Sequence, residues 1–400
     1  MKPPLRRRDF LKFTAVAGAA GIAGSALAQK TSLQSTDKKN GFIYRTLGRT
    51  GLQVPVISSG KIPVDNDDLA MAILNSGIIH IDSANRYDDG RNEEVLGRLL
   101  KKTDRKKFIL ATKIDEPTDK TTGNYTPQAS AESFLNKFNE SLQKLGTSYI
   151  DILYLHGLSS TGALLDERFT QVLINLKKEG KARYLGVSTH TNIPQIIHAA
   201  TDSKIYDIVL FTYNFKQNNI ADIRAAVAHA ASAGLGTIAM KTQAGRFLDK
   251  ENTLKVNSKA ALKWALQDKN LHTIIISIKT YEQLNEYLSV MQNLSLTDEE
   301  KLFLDANSQS KTAMFCSGCS KCVEQCPFRL PIPDIMRAYM YSYGYHETRE
   351  ARKLMDELPV SPDGCNLCSE CLIICPSGFN IQKKIADIAR IKIIPHEFLV

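Results

Sequence analysis

The chain has 400 residues, of which 51 are Lys or Arg and 42 are Asp or Glu, so its formal net charge at pH 7 is +9. No stripe of basic residues is interleaved with aromatic ones, which argues against a nucleic-acid partner. No segment is long and apolar enough to predict a stable membrane span.

The first predicted element is a twin-arginine (Tat) signal peptide over residues 1–28. Arg7 and Arg8 precede a stretch rich in Ala and Gly over residues 13–27, and small residues surround a cleavage point before Gln29. This order predicts export of the folded protein by the Tat machinery to the periplasm. A basic amphipathic start or an uncleaved anchor is the alternative. Loss of the signal removes five Lys or Arg and one Asp, which lowers the formal net charge to +5.

Residues 29–40 are polar and predict a linker, and residues 41–305 then alternate between short apolar runs and amphipathic stretches. Eight such strand–helix units predict an α/β fold, the (β/α)8 TIM barrel. A doubly wound sheet is the alternative, but no G-x-G-x-x-G follows the first strand. The predicted strands are 54–59, 78–83, 107–113, 150–156, 182–188, 208–213, 236–241 and 272–277.

Unusual residues stand at the ends of three consecutive strands. Asp82 ends the second strand and Tyr87 follows it, Lys113 ends the third, and His156 ends the fourth. Because the carboxyl ends of barrel strands meet at one mouth, these four side chains are predicted to converge. Taken singly, each has a structural explanation as a turn former or a solvated strand end.

The four residue types suit carbonyl reduction. Hydride addition leaves an alkoxide that needs a proton, and Tyr87 is predicted to donate it. The ammonium of Lys113 is expected to lower the pKa of Tyr87. Asp82 would hold Lys113 in place, and His156 would orient the substrate oxygen.

Several stretches between residues 42 and 300 resemble the aldo-keto reductase family. The similar stretches are residues 44–52, 82–87, 93–97, Lys113, 151–156, 186–188 and Tyr213–Asn214. The resemblance implies a catalytic tetrad of Asp82, Tyr87, Lys113 and His156. It also implies NADP(H) bound across the mouth without a Rossmann unit.

The resemblance also implies cofactor contacts, for which the candidates are Ser188, Asn214, Lys241 and Lys279. The chain departs from the family's pattern in three places. Leu210 stands where the family has a Gln, Met240 and Lys241 stand where it has an aromatic, and residues 276–280 replace its usual turn after the last strand. These departures weaken the predicted contacts to nicotinamide.

All eight cysteines lie in the last quarter of the chain, in two copies of C-x2-C-x2-C-x3-C-P. This spacing is typical of two 4Fe-4S clusters, in which the fourth cysteine of each motif ligates the other cluster. One cluster is assigned to Cys316, Cys319, Cys322 and Cys375, and the other to Cys365, Cys368, Cys371 and Cys326. Disulfides and zinc are the alternatives.

The second domain, predicted over residues 310–390, resembles a small two-cluster ferredoxin made of helices and loops. The order of the two domains resembles a subgroup of iron–sulfur aldo-keto reductases. The preferred function is reversible transfer of hydride between NADP(H) and a small carbonyl or alcohol, with a possible redox partner protein. The alternative is an electron-transfer protein whose barrel is a docking domain without nicotinamide chemistry.

Overall fold

The structure is a computed structural model that describes residues 37–308, 314–358, 365, 368 and 371–399. The predicted signal peptide lies outside the described residues. Within the described ranges, no helix has the length and hydrophobicity that a membrane span requires.

Three antiparallel strands open the described chain: β1 (Asp37–Lys39), β2 (Phe42–Thr46) and β3 (Gln53–Pro55). Asn40 and Gly41 join the first two, both with positive φ, as a two-residue hairpin turn requires. The prediction of a linker over residues 29–40 is therefore wrong at its end, because residues 37–39 pair with β2. The Asn-Gly pair is the sequence signal for this turn.

Eight parallel strands form a closed barrel, which confirms the predicted fold class. The predicted strand 54–59 divides between β3 and the first barrel strand. The barrel strands are β4 (Ile57–Ser59), β5 (His80–Asp82), β6 (Ile109–Ile114), β7 (Ile150–Leu155), β8 (Ala182–Thr189), β9 (Ile208–Thr212), β10 (Gly236–Met240) and β11 (Thr273–Ile276).

Both faces of the barrel strands are buried, and successive side chains alternate between two cores. On β7, Ile152 and Tyr154 pack inside the barrel, whereas Leu153 and Leu155 pack outward against the helices. This alternation explains why the strands are near-continuous apolar runs in the sequence. It also fixes which residue at each strand end points into the barrel mouth.

Helices surround the barrel, and several begin at a side chain that caps free backbone N–H groups. Asn66, Ser130, Asn257 and Thr280 each accept a hydrogen bond from the backbone N–H three residues later. Such caps typically contribute about 1 kcal/mol each. The helices are α1 (Asp67–Asn75), α2 (Arg91–Leu100), α3 (Ala131–Leu145), α4 (Thr161–Leu164), α5 (Glu167–Lys178), α6 (Ile193–Ser203), α7 (Ile220–Ser232), α8 (Ser258–Leu266), α9 (Tyr281–Gln292) and α10 (Asp298–Ser308).

The cysteine-rich part of the chain has its own helices and its own core. Its helices are α11 (Lys321–Gln325), α12 (Ile332–Tyr339), α13 (Thr348–Asp356) and α14 (Ile381–Ala389), and a π-helical turn (Met340–Gly344) follows α12. Their buried apolar residues form one cluster, which also includes Ile391 and Leu399. The core therefore extends past the predicted boundary at residue 390.

The C-terminal part packs on the carboxyl ends of the barrel strands. Phe315 and Met340 share an apolar cluster with Phe215 and Leu248 of the barrel. In addition, the backbone N–H of Arg246, after β10, donates to the carbonyl oxygen of Gly344 at 3.1 Å. The cysteine-rich domain thus covers the end of the barrel at which strand-end side chains meet.

Candidate active site

Strand alternation carries three of the predicted site residues to the barrel mouth. Ala111 on β6 and Tyr154 on β7 face the barrel interior. Lys113 comes two residues later on β6, and His156 directly follows β7 and continues its pairing with β6, so both point the same way. Asp82 is the last residue of the neighbouring strand, β5. The predicted convergence of these side chains follows from the pleat of the sheet.

Lys113 contacts both Asp82 and Tyr87 and is 1% exposed. Its ammonium forms an ion pair with Asp82 and donates to the carbonyl oxygen of Ser83 at 2.6 Å. The hydroxyl of Tyr87 lies 3.4 Å from the same nitrogen. Burial lowers the pKa of Lys113 and raises the pKa of Asp82, and the attraction between the two charges opposes both shifts.

Tyr87 holds its proton more tightly than its position beside Lys113 predicts. Burial raises the pKa of Tyr87 well above its usual value, and the Asp82 carboxylate adds to the increase. The prediction that Lys113 lowers this pKa is therefore wrong for this structure. The physical reason is that Asp82 offsets the ammonium charge while burial penalises the phenolate.

His156 is a neutral imidazole beside Tyr87. The two ring centroids are 5.9 Å apart, with an interplanar angle of 81°. Burial lowers the pKa of His156 well below its usual value, and the positive charges of Lys113, Arg86 and Arg337 lower it further. Its Nδ1 atom has no hydrogen-bond partner among the described residues. A neutral ring can donate one hydrogen bond to a ligand oxygen.

A cavity of about 500 Å³ opens above these residues, within the range expected for ligand sites. Asp82, Tyr87 and His156 line it from the barrel side. The cysteine-rich domain supplies much of the opposite wall, including Arg337, Tyr341, Tyr345, Glu347, Glu350 and Glu357. The cavity therefore belongs to both parts of the chain.

Ion pairs tie the two walls together at the cavity rim. Each joins a barrel side chain to a side chain from the region after the π-helical turn. The pairs are Lys61–Glu350 (3.7 Å), Arg86–Glu357, Lys120–Glu357 (3.3 Å), Lys279–Glu347 (3.0 Å) and Asp89–Lys353 (2.7 Å). Several pairs along one rim hold this wall against the barrel more firmly than an isolated surface pair would.

The electrostatic interactions of the eight cysteines divide them into two groups. Burial, together with the neighbouring Cys322, Cys319 and Cys375, raises the pKa of Cys316 to about 12. Burial likewise raises the pKa of Cys365 to about 11, together with Cys326, Cys371 and Cys368. Each group contains one cysteine from the other motif, as crossed ligation of two clusters would require. This thiol set fits two 4Fe-4S clusters, and the ligand assignment of each cysteine stays a prediction.

The first cysteine loop lies directly against the end of β8. Gly318 has a φ of +66°, and a Cβ atom there would stand 2.8 Å from the carbonyl oxygen of His190. Only glycine permits both this conformation and this approach. The loop of Cys316 and Cys319 is therefore in backbone contact with the residues that follow β8.

Comparisons with known proteins agree with both parts of this architecture. Residues 63–260 match the family model described as the Aldo/keto reductase family, and residues 315–382 match that of the 4Fe-4S dicluster domain. The chain carries an aldo/keto reductase domain followed by a 4Fe-4S dicluster domain. It is an oxidoreductase enzyme.

Two curated relatives match most of the barrel. L-glyceraldehyde 3-phosphate reductase of Escherichia coli (strain K12) is 27% identical over 320 residues, which cover 66% of this chain and 91% of the relative. L-galactose dehydrogenase of Arabidopsis thaliana is 25% identical over 313 residues, with coverages of 67% and 92%.

Among solved structures, an aldo-keto reductase from Bacillus halodurans in its holo form has a TM-score of 0.54 at 21% identity. The match covers 66% of this chain and 95% of that one. At this identity the likeness shows the shared fold.

The four predicted cofactor contacts divide into two pairs. Lys241 and Lys279 line the cavity of the aldo/keto reductase domain. Ser188 is not among the lining residues, and its hydroxyl accepts from the backbone N–H of Gly157 at 2.8 Å. Asn214 also lies below the cavity, where its side-chain amide donates to the carbonyl oxygen of Lys241 at 3.1 Å. These two residues support the cavity and do not line it.

Lys241 faces the dicluster domain. Its ammonium lies 4.4 Å from the ring centroid of Tyr341 and 5.0 Å from that of Tyr345. Burial alone would lower the pKa of Lys241, but these tyrosines and Glu347 outweigh it, so the pKa is raised and the charge is retained. A cation–π arrangement of this kind is typically worth about 0.5–2 kcal/mol.

Sequence reasoning missed the contribution of the dicluster domain to this cavity. Arg337, Tyr341 and Tyr345 belong to the α12 region, and no motif marks them as active-site residues. His190, one residue after β8, also lines the cavity, and its position at a strand end is the one signal that could have identified it.

Proposed function

We propose that the enzyme reduces a small carbonyl compound to an alcohol with NADP(H), and that Tyr87 is the proton donor. The observation that carries the proposal is the position of Lys113, whose ammonium contacts both Asp82 and Tyr87 beneath an open cavity. The name of one relative, L-glyceraldehyde 3-phosphate reductase, also supports an aldehyde as the substrate class.

The side chains of the chain itself account for proton transfer and substrate orientation. The raised pKa of Tyr87 keeps the phenol protonated at neutral pH, so it is a ready donor to an alkoxide. The neutral ring of His156 would donate a hydrogen bond to the same substrate oxygen. Lys113, paired with Asp82, would stabilise the phenolate that remains after proton transfer.

The cavity wall fits an anionic nicotinamide nucleotide. Lys241 and Arg246 line it, and among the described residues no carboxylate lies within 4.0 Å of either cation. Lys279 lines it as well, paired with Glu347. When bound, NADPH supplies the hydride that reduces the carbonyl carbon.

Replacement of Tyr87 by Phe tests this proposal in full-length protein purified without air. We expect carbonyl reduction to fall by about 100- to 10,000-fold, the usual range for loss of a general acid. NADPH binding and the spectra of the clusters should not change. Tyr281→Phe, at an exposed position outside the cavity, is the matched control. A Tyr87→Phe enzyme with the wild-type rate would refute the role of the phenol, and failure to bind NADPH would refute the choice of cofactor.

The proposal includes the two 4Fe-4S clusters, held by the cysteine sets named above. Clusters of this kind carry single electrons when bound, and a separate redox partner protein is part of the proposal. Anaerobic protein is expected to contain about eight iron atoms per chain. Iron analysis and electron paramagnetic resonance spectra check this number, and a protein that contains zinc in place of iron would contradict it.

Export to the periplasm by the Tat route also belongs to the proposal and rests on the sequence of residues 1–28. Replacement of both Arg7 and Arg8 by Lys is expected to retain the protein in the cytoplasm. Arg6→Lys is the control, and cell fractionation is the measurement. Equal export of all three proteins would contradict this route.

The alternative of a docking barrel without nicotinamide chemistry is not favoured. A barrel used only for docking has no need for a buried ion pair beside a tyrosine hydroxyl at the wall of a cavity. The family relationship to named reductases and dehydrogenases points the same way.

A further inference from the structure

Arg337 places a cation of the dicluster domain at the catalytic cavity. It lies on α12, whose residues Ile335 and Met336 are buried in the core of that domain. The Arg337 side chain is 20% exposed and lines the cavity instead. Its positive charge lowers the pKa of His156 and of His190. A guanidinium from a second domain is therefore close to the histidine that is expected to orient the substrate.

Arg337 also lines a second, smaller cavity of about 20 Å³. Its wall includes Arg337, His190 and Lys241, all of which also line the catalytic cavity, together with Cys316. Arg337 thus lies between the barrel strand ends and the first cysteine loop.

The ion pairs at the rim distinguish Arg337 from three of the barrel cations around it. Lys61, Arg86 and Lys279 each form an ion pair with a glutamate of the dicluster domain. Arg337 has no corresponding barrel carboxylate within 4.0 Å in the described part of the chain. Its ion pair is with Asp334, one turn earlier on α12, at 2.7 Å.

A single ion pair leaves most of the hydrogen-bonding capacity of Arg337 available. A guanidinium has five N–H donors in a planar fork that matches a carboxylate or a phosphate. The cavity beside Arg337 is open and holds the proposed carbonyl-binding residues Tyr87 and His156. A carbonyl substrate that carries an anionic group could therefore bind the Arg337 guanidinium with that group while its carbonyl oxygen binds the hydroxyl of Tyr87.

We propose that Arg337 is a specificity-determining residue that binds the anionic group, a carboxylate or a phosphate, of the carbonyl substrate. This inference rests on the proposed carbonyl reduction and names its substrate class. The dicluster domain would then take part in substrate selection, because the barrel alone lacks this cation.

The test compares an anionic substrate with a neutral one of the same shape in full-length, anaerobic enzyme. The substrates are 4-carboxybenzaldehyde and 4-formylbenzamide, and the variant is Arg337→Gln. We expect kcat/KM for the carboxylate to fall by about 10- to 100-fold, the value of one lost charge-assisted contact, mainly through KM. The kcat/KM for the amide should change by less than about threefold. Arg390→Gln, at an exposed cation of the same domain, is the control.

Two further measurements complete the test. Asp334→Asn removes the helix partner of Arg337 and is expected to improve kcat/KM for the carboxylate by about two- to fivefold. D-glyceraldehyde 3-phosphate compared with D-glyceraldehyde shows whether phosphate is preferred over carboxylate. Unchanged cluster spectra in each variant establish that the domain is folded.

Calorimetric binding of the alcohol product 4-(hydroxymethyl)benzoate, compared with its amide, gives a readout that needs no turnover. Selective loss of carboxylate binding in Arg337→Gln supports the inference even if the proposed reduction fails. Equal losses for the acid and the amide, or a loss confined to NADPH affinity, would overturn it.

Discussion

The two sides of the catalytic cavity are built differently. On the side of β5, β6 and β7, the Asp82–Lys113 pair and Tyr87 make their direct contacts within the barrel. On the side of β10 and β11, Lys241 contacts tyrosines of the dicluster domain and Lys279 contacts its Glu347. The residues proposed for acid–base chemistry thus make their direct contacts in the barrel, whereas the cations proposed to bind the cofactor also contact the dicluster domain.

The largest effect is expected from a substitution on the barrel side of the cavity. Lys113→Met would leave Asp82 buried without its partner, and loss of one partner of a buried pair typically costs about 3–5 kcal/mol. We expect a loss of this size in the free energy of unfolding, measured with urea, together with loss of reduction. The double variant Asp82→Asn, Lys113→Met should recover much of the stability and none of the activity. Equal stability of the single and double variants would show that the pair is not a coupled unit.

The pH dependence of reduction and of oxidation tests the protonation state of Tyr87 on the same side of the cavity. Because the pKa of Tyr87 is raised, the phenol is protonated throughout the neutral range, and reduction should be flat from about pH 6 to pH 9. Alcohol oxidation needs the phenolate and should increase about tenfold per pH unit without a plateau below about pH 10. Rates measured under saturating substrate check both expectations. A plateau in oxidation near neutral pH would show that Lys113 dominates the pKa of Tyr87 after all.

A smaller effect is expected from a substitution on the side of β10 and β11, where both domains contribute charged residues. Glu347→Gln removes the carboxylate that pairs with Lys279 and that helps to raise the pKa of Lys241. With less competition for these cations, we expect NADPH to bind about two- to fivefold more tightly, in line with the modest strength of partly exposed pairs. Fluorescence titration measures this affinity, with Glu324→Gln at an exposed position as the control. Weaker binding would show that Glu347 positions the lysines rather than competing for them.

The smallest effect is expected where the domain contact is most exposed. Lys353 pairs with Asp89, whose side chain is 81% exposed, so solvent screens the interaction. Lys353→Met should change the free energy of unfolding by less than about 1 kcal/mol and leave reduction unchanged. A clear loss of activity would mean that this pair helps to hold the loop of Tyr87.

The sequence was sufficient for features that depend on local pattern. Apolar runs identified the eight barrel strands, and strand ends identified Asp82, Lys113 and His156, because the pleat of a strand determines where each side chain points. The Asn40–Gly41 turn was also readable from local sequence, although residues 37–39 were assigned to the linker.

Features that depend on contacts between distant segments were not predictable. Ser188 and Asn214 lie at or just after the expected strand ends, but they hydrogen-bond to neighbouring backbone and do not line the cavity. Tyr341 and Arg337 reach the cavity only because two domains pack together, and no periodicity encodes that contact. The raised pKa of Tyr87 has the same origin in part, since Tyr341 adds to it.

The contact between Gly318 and His190 has a practical consequence. If the first cysteine loop holds a cluster as proposed, oxidative loss of that cluster would displace the loop and, through its backbone contact with His190, disturb the wall of the cavity. Shelf life in aerobic buffer and catalytic lifetime should then decline together. Bulkier residues at position 318 are expected to make even freshly prepared samples inactive.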